Sequence, residues 1–339
     1  LLIVDSGVVA YELEHHEPAP GALDRQASRA LAVEDEISMG LSGLSMALAQ
    51  AQRVMGLAVP AAEAVAILAG LVFIVLSGFY LAKIIRHRAW VMADLNHPVR
   101  MSFAATYSVS LLLLAVLALE PLPRLSAALW TAGALLHLAL TLYVLNAWIY
   151  QPRFEIHHIS PAWFIPVVGN ILVPLAGVHH ADPEISWFFF SVGLVFWVVL
   201  FTIIVYRMVF HHPLPDKLLP TLFILIAPPA VGFLAYLKLG AELDMFARVL
   251  YYTALFLTLW LLLQAPRFLK LPFFLSWWAY SFPLAAVTSA TITMYRLTGG
   301  PFYRGLGYLL LFLLIIVVGW LTVGTVAAIQ QGQICVEEK

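Results

Sequence analysis

Histidines come closest to forming a chemical site in this sequence. Three adjacent pairs lie at the ends of apolar stretches: His157 and His158, His179 and His180, and His211 and His212. Neighbouring residues on a helix point about 100° apart, and no carboxylates follow at a suitable spacing, so the pairs are poor metal ligands. The single cysteine, Cys335, excludes an intramolecular disulfide and a cysteine-based metal centre. We therefore predict solvated histidines at a membrane surface, with no metal and no cofactor.

His137 differs from these pairs because it lies inside an apolar stretch. An ionisable side chain at such a position is a functional hypothesis by default. Its stretch is typical of an outer helix, so we predict that His137 makes an interhelical hydrogen bond. The sequence contains no nucleophile elbow, phosphate loop, HExxH motif or paired carboxylates within an apolar stretch. We expect no enzyme, and an intramembrane enzyme or sensor is the least supported alternative.

The elements that must position these residues are long and apolar. The chain is 62% hydrophobic and 11% charged, whereas ordinary soluble domains have about 25% charged residues. A membrane-spanning helix needs about 20 apolar residues. Nine stretches meet this requirement and a weaker one precedes them. We number them span 1 (37–55), span 2 (61–86), span 3 (98–119), span 4 (125–149), span 5 (161–179), span 6 (185–209), span 7 (217–238), span 8 (246–265), span 9 (271–295) and span 10 (302–330).

These spans predict an all-α integral membrane protein, because a bilayer offers no hydrogen-bond partners to an unpaired backbone. Ten spans form five consecutive helical hairpins. In each hairpin the second helix is rich in Leu, Val and Phe, and the first is interrupted or carries Thr, Ser, Asn and Gly. We predict that the odd-numbered helices line a central pore and that the even-numbered helices form an outer ring.

The positions of prolines distinguish the odd spans from the even spans. Interior prolines occur in spans 5, 7 and 9, and the even spans have none. A proline inside a helix removes one hydrogen bond and kinks the chain, and the freed carbonyls are tolerated at membrane depth beside protein or water. We therefore predict pore-lining kinks at Pro166, Pro174, Pro228, Pro229 and Pro283.

Span 9 holds the candidate gate. Phe282 precedes Pro283, and Thr288 and Ser289 follow within two turns. We predict that the hydroxyls line the pore, where they replace water around an ion, and that the Phe282 ring plugs the path at the bend. The middle of spans 2 to 10 contains no Asp, Glu, Lys or Arg, which predicts a neutral path with weakly bound, fast-moving ions.

Span 1 is short but rich in small residues. Residues 37–52 amount to about 24 Å of helix, less than the ~30 Å of a hydrocarbon core. Gly40 and Gly43 suit close helix packing or a pore wall. Glu36 stands at the expected cytoplasmic end of this span, where an acid opposes the entry of anions.

The flanking segments and the charges suggest the topology. Residues 1–36 hold eight of the 19 acids and read as a polar, disordered tail; 37–332 form the transmembrane domain, and 333–339 a short second tail. Twelve of the 18 Lys and Arg lie on one side if both termini are cytoplasmic. We thus expect a multi-pass protein of the inner or plasma membrane. With a net charge of −1 and no basic patch, we expect no binding to nucleic acid.

Four motifs resemble a known family, the plant guard-cell slow anion channels and the bacterial tellurite-resistance and dicarboxylate transporter proteins. The motifs are His97 to Arg100, the run from Pro161 to Asn170, Ala227 to Ala230, and Trp277 to Pro283. The resemblance runs from about Met39 to the end of span 10. It implies a homotrimer in which each protomer has its own pore lined by the odd helices, including Asn170, with Phe282 at the gating position. Two positions depart from the family pattern, Glu36 at the start of span 1 and Ser108 in place of a proline in span 3.

Together these features favour a selective channel for small monovalent anions such as chloride and nitrate. Helix-end dipoles and Lys and Arg at the mouths would attract the anions in place of buried charge. The alternative is a secondary transporter that exports tellurite, sulfite or a four-carbon dicarboxylate. The bilayer and small inorganic anions are the expected partners in either case.

Overall fold

A computed structural model of the chain describes residues 35–58 and 61–331, and all regular elements in these ranges are helical. Within the described residues, seven helices are long and apolar enough to cross a membrane, and the segment Pro161–Gly177 is a shorter apolar helix. The prediction of an all-α membrane protein is confirmed. The predicted tails at 1–36 and 333–339 lie outside the described residues, except that Asp35 and Glu36 belong to the first helix, Asp35–Met55. The number of membrane crossings stays a prediction.

Each predicted span corresponds to helical structure. The even spans are continuous helices: Ala62–Arg86 (span 2), Pro123–Tyr150 (span 4), Pro183–Phe210 (span 6), Met245–Leu262 (span 8) and Pro301–Gln330 (span 10). Span 1 is also continuous, Asp35–Met55. The other odd spans are divided: Arg100–Phe103 and Thr106–Leu117 (span 3); Pro161–Trp163, Phe164–Val168, Gly169–Leu172 and Pro174–Gly177 (span 5); Asp216–Ile226 and Ala227–Lys238 (span 7); Leu275–Tyr280 and Ser281–Thr298 (span 9). Short helices Arg88–Leu95, Ile156–His158 and Ala265–Phe268 lie in the connections.

The position of proline explains the division of spans 5, 7 and 9, whereas span 3 is divided without an interior proline. Spans 4, 6 and 10 begin with Pro123, Pro183 and Pro301, at the first helical position where no amide hydrogen is needed. In spans 7 and 9 the chain is a 3₁₀-helix up to Ile226 and Tyr280 and then becomes α-helical. Pro228, Pro229 and Pro283 fall in the first turn of the α-helical part, and Pro220 lies within the 3₁₀ segment of span 7. The predicted kinks are therefore changes of helix type, which avoid the clash of proline within a continuous α-helix.

Burial separates the odd from the even spans. About three quarters of the apolar windows of spans 3 and 7 are buried (72% and 78%), against 11% to 39% in the even spans. Residues 159–177 of span 5 and 277–294 of span 9 are almost entirely buried as well. The even helices expose large apolar side chains such as Ile74, Phe188 and Phe312 on one face. Such faces suit lipid contact.

The five odd spans pack in a closed ring. Span 1 contacts spans 3 and 9, span 5 contacts spans 3 and 7, and span 7 contacts span 9. Each odd span also packs against the even span that follows it in the chain. These contacts agree with the predicted five hairpins and inner ring.

Candidate functional site

The ring of odd spans encloses a cavity of about 70 Å³ on its axis. All five odd spans contribute to its wall and no even span does. Representative lining residues, one from each odd span in chain order, are Met39, Val109, Val168, Pro228 and Phe282.

A second, smaller cavity of about 10 Å³ lies further along the same axis. Residue numbers increase from the larger to the smaller cavity on every odd span, for example from Val109 to Leu113 on span 3 and from Met39 to Gly43 on span 1. The odd spans therefore run parallel, and the two cavities are stacked along the ring axis. Only Val231 and Phe282 line both cavities within the described part of the chain.

Phe282 lies between the two cavities because of its place in span 9. It is the second residue of the α-helix Ser281–Thr298, directly after the 3₁₀ segment ends. Between residues 277 and 294 it is the one residue that is not buried, so its ring faces open space within an otherwise packed helix. In span 5, Gly169 is likewise the one accessible residue between 159 and 177, and it lines the larger cavity.

The cavity walls are more apolar than the sequence predicted. Among the residues that the structure describes, those lining the larger cavity are apolar or glycine except for Glu36, and Ser289 is the one hydroxyl residue lining the smaller cavity. The hydroxyls of Thr288 and Thr291 donate hydrogen bonds to the carbonyls of Leu284 and Val287, at 2.7 and 2.8 Å. A hydroxyl group on a buried helix commonly finds its hydrogen-bond acceptor in this way, at a backbone carbonyl of the preceding turn. The predicted hydroxyl lining thus reduces to Ser289.

The predicted site residues divide into two groups. Those in the cavity walls are Gly43, Pro228, Phe282, Pro283 and Ser289. Those outside the lining of the two cavities are Gly40, Pro166, Asn170, Pro174, Pro229 and Thr288.

Gly40 and Asn170 lie behind the cavity wall and help to fix the positions of the helices that form it. A β-carbon on Gly40 would collide with the Ser281 hydroxyl, so this glycine allows spans 1 and 9 to approach closely. The Asn170 amide donates to Thr141 Oγ1 at 2.9 Å and to the Val167 carbonyl at 2.7 Å. Thr141 Oγ1 in turn contacts the Pro166 carbonyl at 2.7 Å. These bonds connect span 4 to the interrupted backbone of span 5.

His137 belongs to the same polar layer behind the wall. It is fully buried, and its Nδ1 lies 2.8 Å from Ser108 Oγ on span 3. The Ser108 hydroxyl donates to the Ala105 carbonyl, so His137 Nδ1–H is the donor to Ser108. The predicted interhelical hydrogen bond of His137 is confirmed. The edge of its ring packs against Gly169, where a β-carbon would lie 2.6 Å from Cε1.

Glu36 is a cavity residue that the sequence analysis assigned only to the mouth of the path. It is 4% exposed and lines the larger cavity. Met39, Gly43 and Met46 follow it on the cavity side of span 1. The spacing of these four residues, i, i+3, i+7 and i+10, is that of one helix face. This spacing is the sequence signal that identifies the cavity face of span 1.

Ionic side chains cluster at the end of the molecule where the odd spans begin. Asp94, on the short helix between spans 2 and 3, accepts from Lys83 at 2.7 Å and from Arg100 at 2.6 Å. Burial, and then the charge of Arg100, lower the pKa of His97. Across residues 35–58 and 61–331, no group of three His, Cys, Asp or Glu is arranged to hold a metal ion.

A set of helices that surrounds an axial cavity within a membrane protein is the architecture of a channel or transporter. Comparison with protein-family models gives the same class: the model "SLAC1: Voltage-dependent anion channel" matches residues 36–326. The chain belongs to this SLAC1 family.

Individual relatives from all three domains of life are similar to the chain. It is 26% identical to an uncharacterized transporter of Methanocaldococcus jannaschii over 72% of this chain and 78% of that protein. It is 32% identical to the S-type anion channel SLAH2 of Arabidopsis thaliana over 66% of this chain, which covers 43% of the plant protein. A tellurite resistance protein TehA homolog of Haemophilus influenzae is 24% identical over 88% of this chain and 90% of that protein. The chain thus spans most of the two microbial relatives and less than half of the plant channel.

Proposed function

We propose that this protein is a channel for small monovalent anions such as chloride and nitrate. The path follows the axis of the ring of odd spans, and Phe282 obstructs it. The observation that carries the proposal is the position of the Phe282 ring between two stacked cavities, each of which is lined only by odd spans. We infer transport in place of catalysis because the relatives are named channels and transporters.

Weak binding without a fixed cation suits a channel. No Lys, Arg or His lines either cavity in the described residues, so no strong site retains an anion. The α-helices of spans 7 and 9 begin at Ala227 and Ser281, and their first-turn residues Ala227, Pro228, Phe282 and Pro283 face the larger cavity. Each of these helices continues directly from a 3₁₀ segment, so the free amino end of the helical run, with its partial positive charge, lies at Asp216 and at Leu275 and not at the cavity wall. Apolar walls offer few hydrogen bonds to replace the water that an anion loses on entry. Anions that are weakly hydrated are therefore expected to permeate best.

We also propose the assembly and the topology. The ring of odd spans closes within a single chain, so each subunit of a homotrimer would hold its own path. The helices would lie in the inner or plasma membrane with both termini in the cytoplasm, as the distribution of Lys and Arg favours. Crosslinking of the purified protein followed by mass measurement tests the trimer.

Recordings of the purified protein in planar bilayers test the channel function. Under a gradient of chloride or nitrate, the reversal potential should follow the Nernst potential of the anion. It should not move when the pH gradient or the sodium gradient is changed at a constant anion gradient. A reversal potential that ignores the anion gradient would reject an anion channel.

A secondary transporter of tellurite, sulfite or a four-carbon dicarboxylate is the second candidate. Two observations favour it: the similarity to a tellurite resistance homolog over most of both chains, and the carboxyl group of Glu36 in the cavity wall. Coupled transport predicts a reversal potential that moves with the proton or sodium gradient. The same recordings therefore separate the two functions.

A further inference from the structure

Arg207, in the last turn of span 6, is a buried guanidinium that forms no ion pair within residues 35–58 and 61–331. The residue is 2% exposed. Its Nη2 contacts the carbonyl of His157 at 3.5 Å, and its Nε and Nη1 have no hydrogen-bond partner in the described part of the chain. A buried charge that is neither paired nor fully hydrogen-bonded is costly to a folded protein. We therefore expect an anion to accompany Arg207.

The chain beside Arg207 has more unpaired buried donors than acceptors. His157 belongs to the connection between spans 4 and 5, residues 151–160. At the ends of this connection Trp163 stacks on Trp148, with ring centroids 4.3 Å apart, and Phe154 packs against Trp163. The Arg153 guanidinium lies 5.4 Å from the centre of the Phe154 ring. Among the described residues of this group, the unpaired buried donors are Nε and Nη2 of Arg153, Nε1 of Trp148 and Nε1 of Trp163; the Ser160 hydroxyl is also unpaired, and Oε1 of Gln151 is the unpaired acceptor. An excess of donors favours a ligand with several acceptor oxygens.

Arg207 and Trp148 lie near the membrane surface in the predicted topology. Span 6 ends at Phe210 and span 4 ends at Tyr150, within one turn of these two residues. The ends of both helices expose large apolar side chains: Ile149 and Tyr150 on span 4, and Tyr206 and Phe210 on span 6. Such faces suit lipid contact. The headgroups of the lipids that cover them would lie level with Arg207, so a lipid phosphate is the anion that this position favours.

We propose that Arg207, together with the unpaired donors of the neighbouring connection, binds a phosphate group, and that this phosphate belongs to the headgroup of an anionic phospholipid. A planar guanidinium suits the task because it offers several N–H donors to phosphate oxygens. The connection contacts Arg207 through His157 and is itself exposed at Glu155, Ile156 and His157, so the site opens when the connection moves. This binding site is separate from the ring axis and does not depend on anion conduction.

Thermal unfolding of the full chain in detergent tests the site, after washing until a phosphorus assay detects no bound phospholipid. Phosphatidylglycerol should raise the wild-type melting temperature by several degrees at saturation, because a ligand that binds only the folded state stabilises it. Diacylglycerol, which has the same acyl chains without the phosphate, should give no shift. Inorganic phosphate should give little shift relative to sodium chloride of the same ionic strength. If inorganic phosphate matches phosphatidylglycerol, the site binds a free anion and the assignment to a lipid is wrong.

Arg207→Met should abolish the shift, and without lipid it should be at least as stable as wild type, because it removes an unpaired buried charge. Arg207→Lys should keep a smaller shift, since lysine retains the charge but lacks the planar set of donors. Arg86→Met is the matched control and should respond as wild type, because Arg86 lies in the last turn of span 2 at the same end of the molecule but is exposed. The proposal is wrong if phosphatidylglycerol does not shift the wild type, or if Arg207→Met keeps the full shift. The wild-type titration decides between these results even if Arg207→Met does not assemble, and a failure here leaves the proposed channel function standing.

Discussion

Gly43 on span 1 packs directly against Phe282 on the neighbouring span 9. A β-carbon placed on Gly43 would lie 3.3 Å from Cδ2 of Phe282 and 2.8 Å from Cβ of Ala285. Glycine therefore leaves just enough room for the Phe282 ring where the two cavities meet. The obstruction therefore depends on two residues: Phe282, which has a large ring, and Gly43, which has no side chain.

Gly43→Ala should reduce the anion current several-fold, because the added methyl group fills the space beside the Phe282 ring. In the Phe282→Ala background the same substitution should have a smaller effect, since the contact with the ring is gone and the 2.8 Å contact with Cβ of Ala285 remains. Gly70→Ala is the control, because a β-carbon at Gly70 meets no atom within 4 Å. Bilayer currents of the two single variants and the double variant measure this dependence. Equal effects in both backgrounds would contradict a contact between residues 43 and 282.

Gly169→Ala should destabilise the protein by about 1–3 kcal/mol, the usual cost of overpacking a core. The added β-carbon would lie 2.6 and 2.7 Å from Cε1 and Nε2 of His137. His137→Ala costs stability by itself, because it removes a buried ring and its hydrogen bond to Ser108, but the double variant should lose less than the sum of the single losses because the clashing ring is gone. Thermal unfolding in detergent compares the variants. Additive losses in the double variant would mean that the two residues do not compete for space.

Asn170→Ala and Thr141→Val should each destabilise the protein by about 1 kcal/mol, the net value of a typical hydrogen bond. The two side chains share one bond of 2.9 Å, so the double variant should lose less than the sum of the single losses. The same unfolding assay completes this double-mutant cycle. A coupling energy near zero would show that the bond does not brace span 5.

Asp94→Asn should destabilise the protein by roughly 1.5–3 kcal/mol, because hydrogen bonds to charged groups are the stronger ones. Its partner Lys83 has a side chain that is only 4% exposed, so water compensates poorly for the lost charge. The matched control is Glu120→Gln, which breaks the ion pair with Arg53. In that pair the side chains of Arg53 and Glu120 are 62% and 71% exposed. Exposed pairs contribute little, so the control should unfold like wild type. A loss of equal size in both variants would refute the role of burial.

Much of the fold follows from hydropathy and proline position. The even spans could be predicted to within a few residues, since a continuous apolar run with proline only at its first turn has no alternative to a straight helix. The division of spans 5, 7 and 9 could be predicted from Pro166, Pro228 and Pro283. The change from 3₁₀-helix to α-helix at these points could not be predicted, because a proline excludes a continuous α-helix but does not specify which structure replaces it.

The cavity walls were harder to predict than the helices. Spans 7 and 9 are apolar or weakly polar on all sides, so no periodic pattern tells which face points to the axis. Thr288 and Ser289 are adjacent and chemically alike, yet only Ser289 lines a cavity. On span 1 a pattern was present but not used: Glu36, Met39 and Gly43 recur with helical spacing, whereas the prediction took Gly40 with Gly43 as lining and placed Glu36 at the mouth.

The single-channel anion current of Phe282→Ala is the most direct test of a ring that obstructs an axial path. Removing the ring joins the two cavities without changing any charge, so the current in planar bilayers should rise several-fold over wild type. Phe188→Ala removes an equal ring from the exposed face of span 6 and should leave the current unchanged. An unchanged current in Phe282→Ala, or an equal rise in both variants, would contradict the assignment of Phe282 as the obstruction.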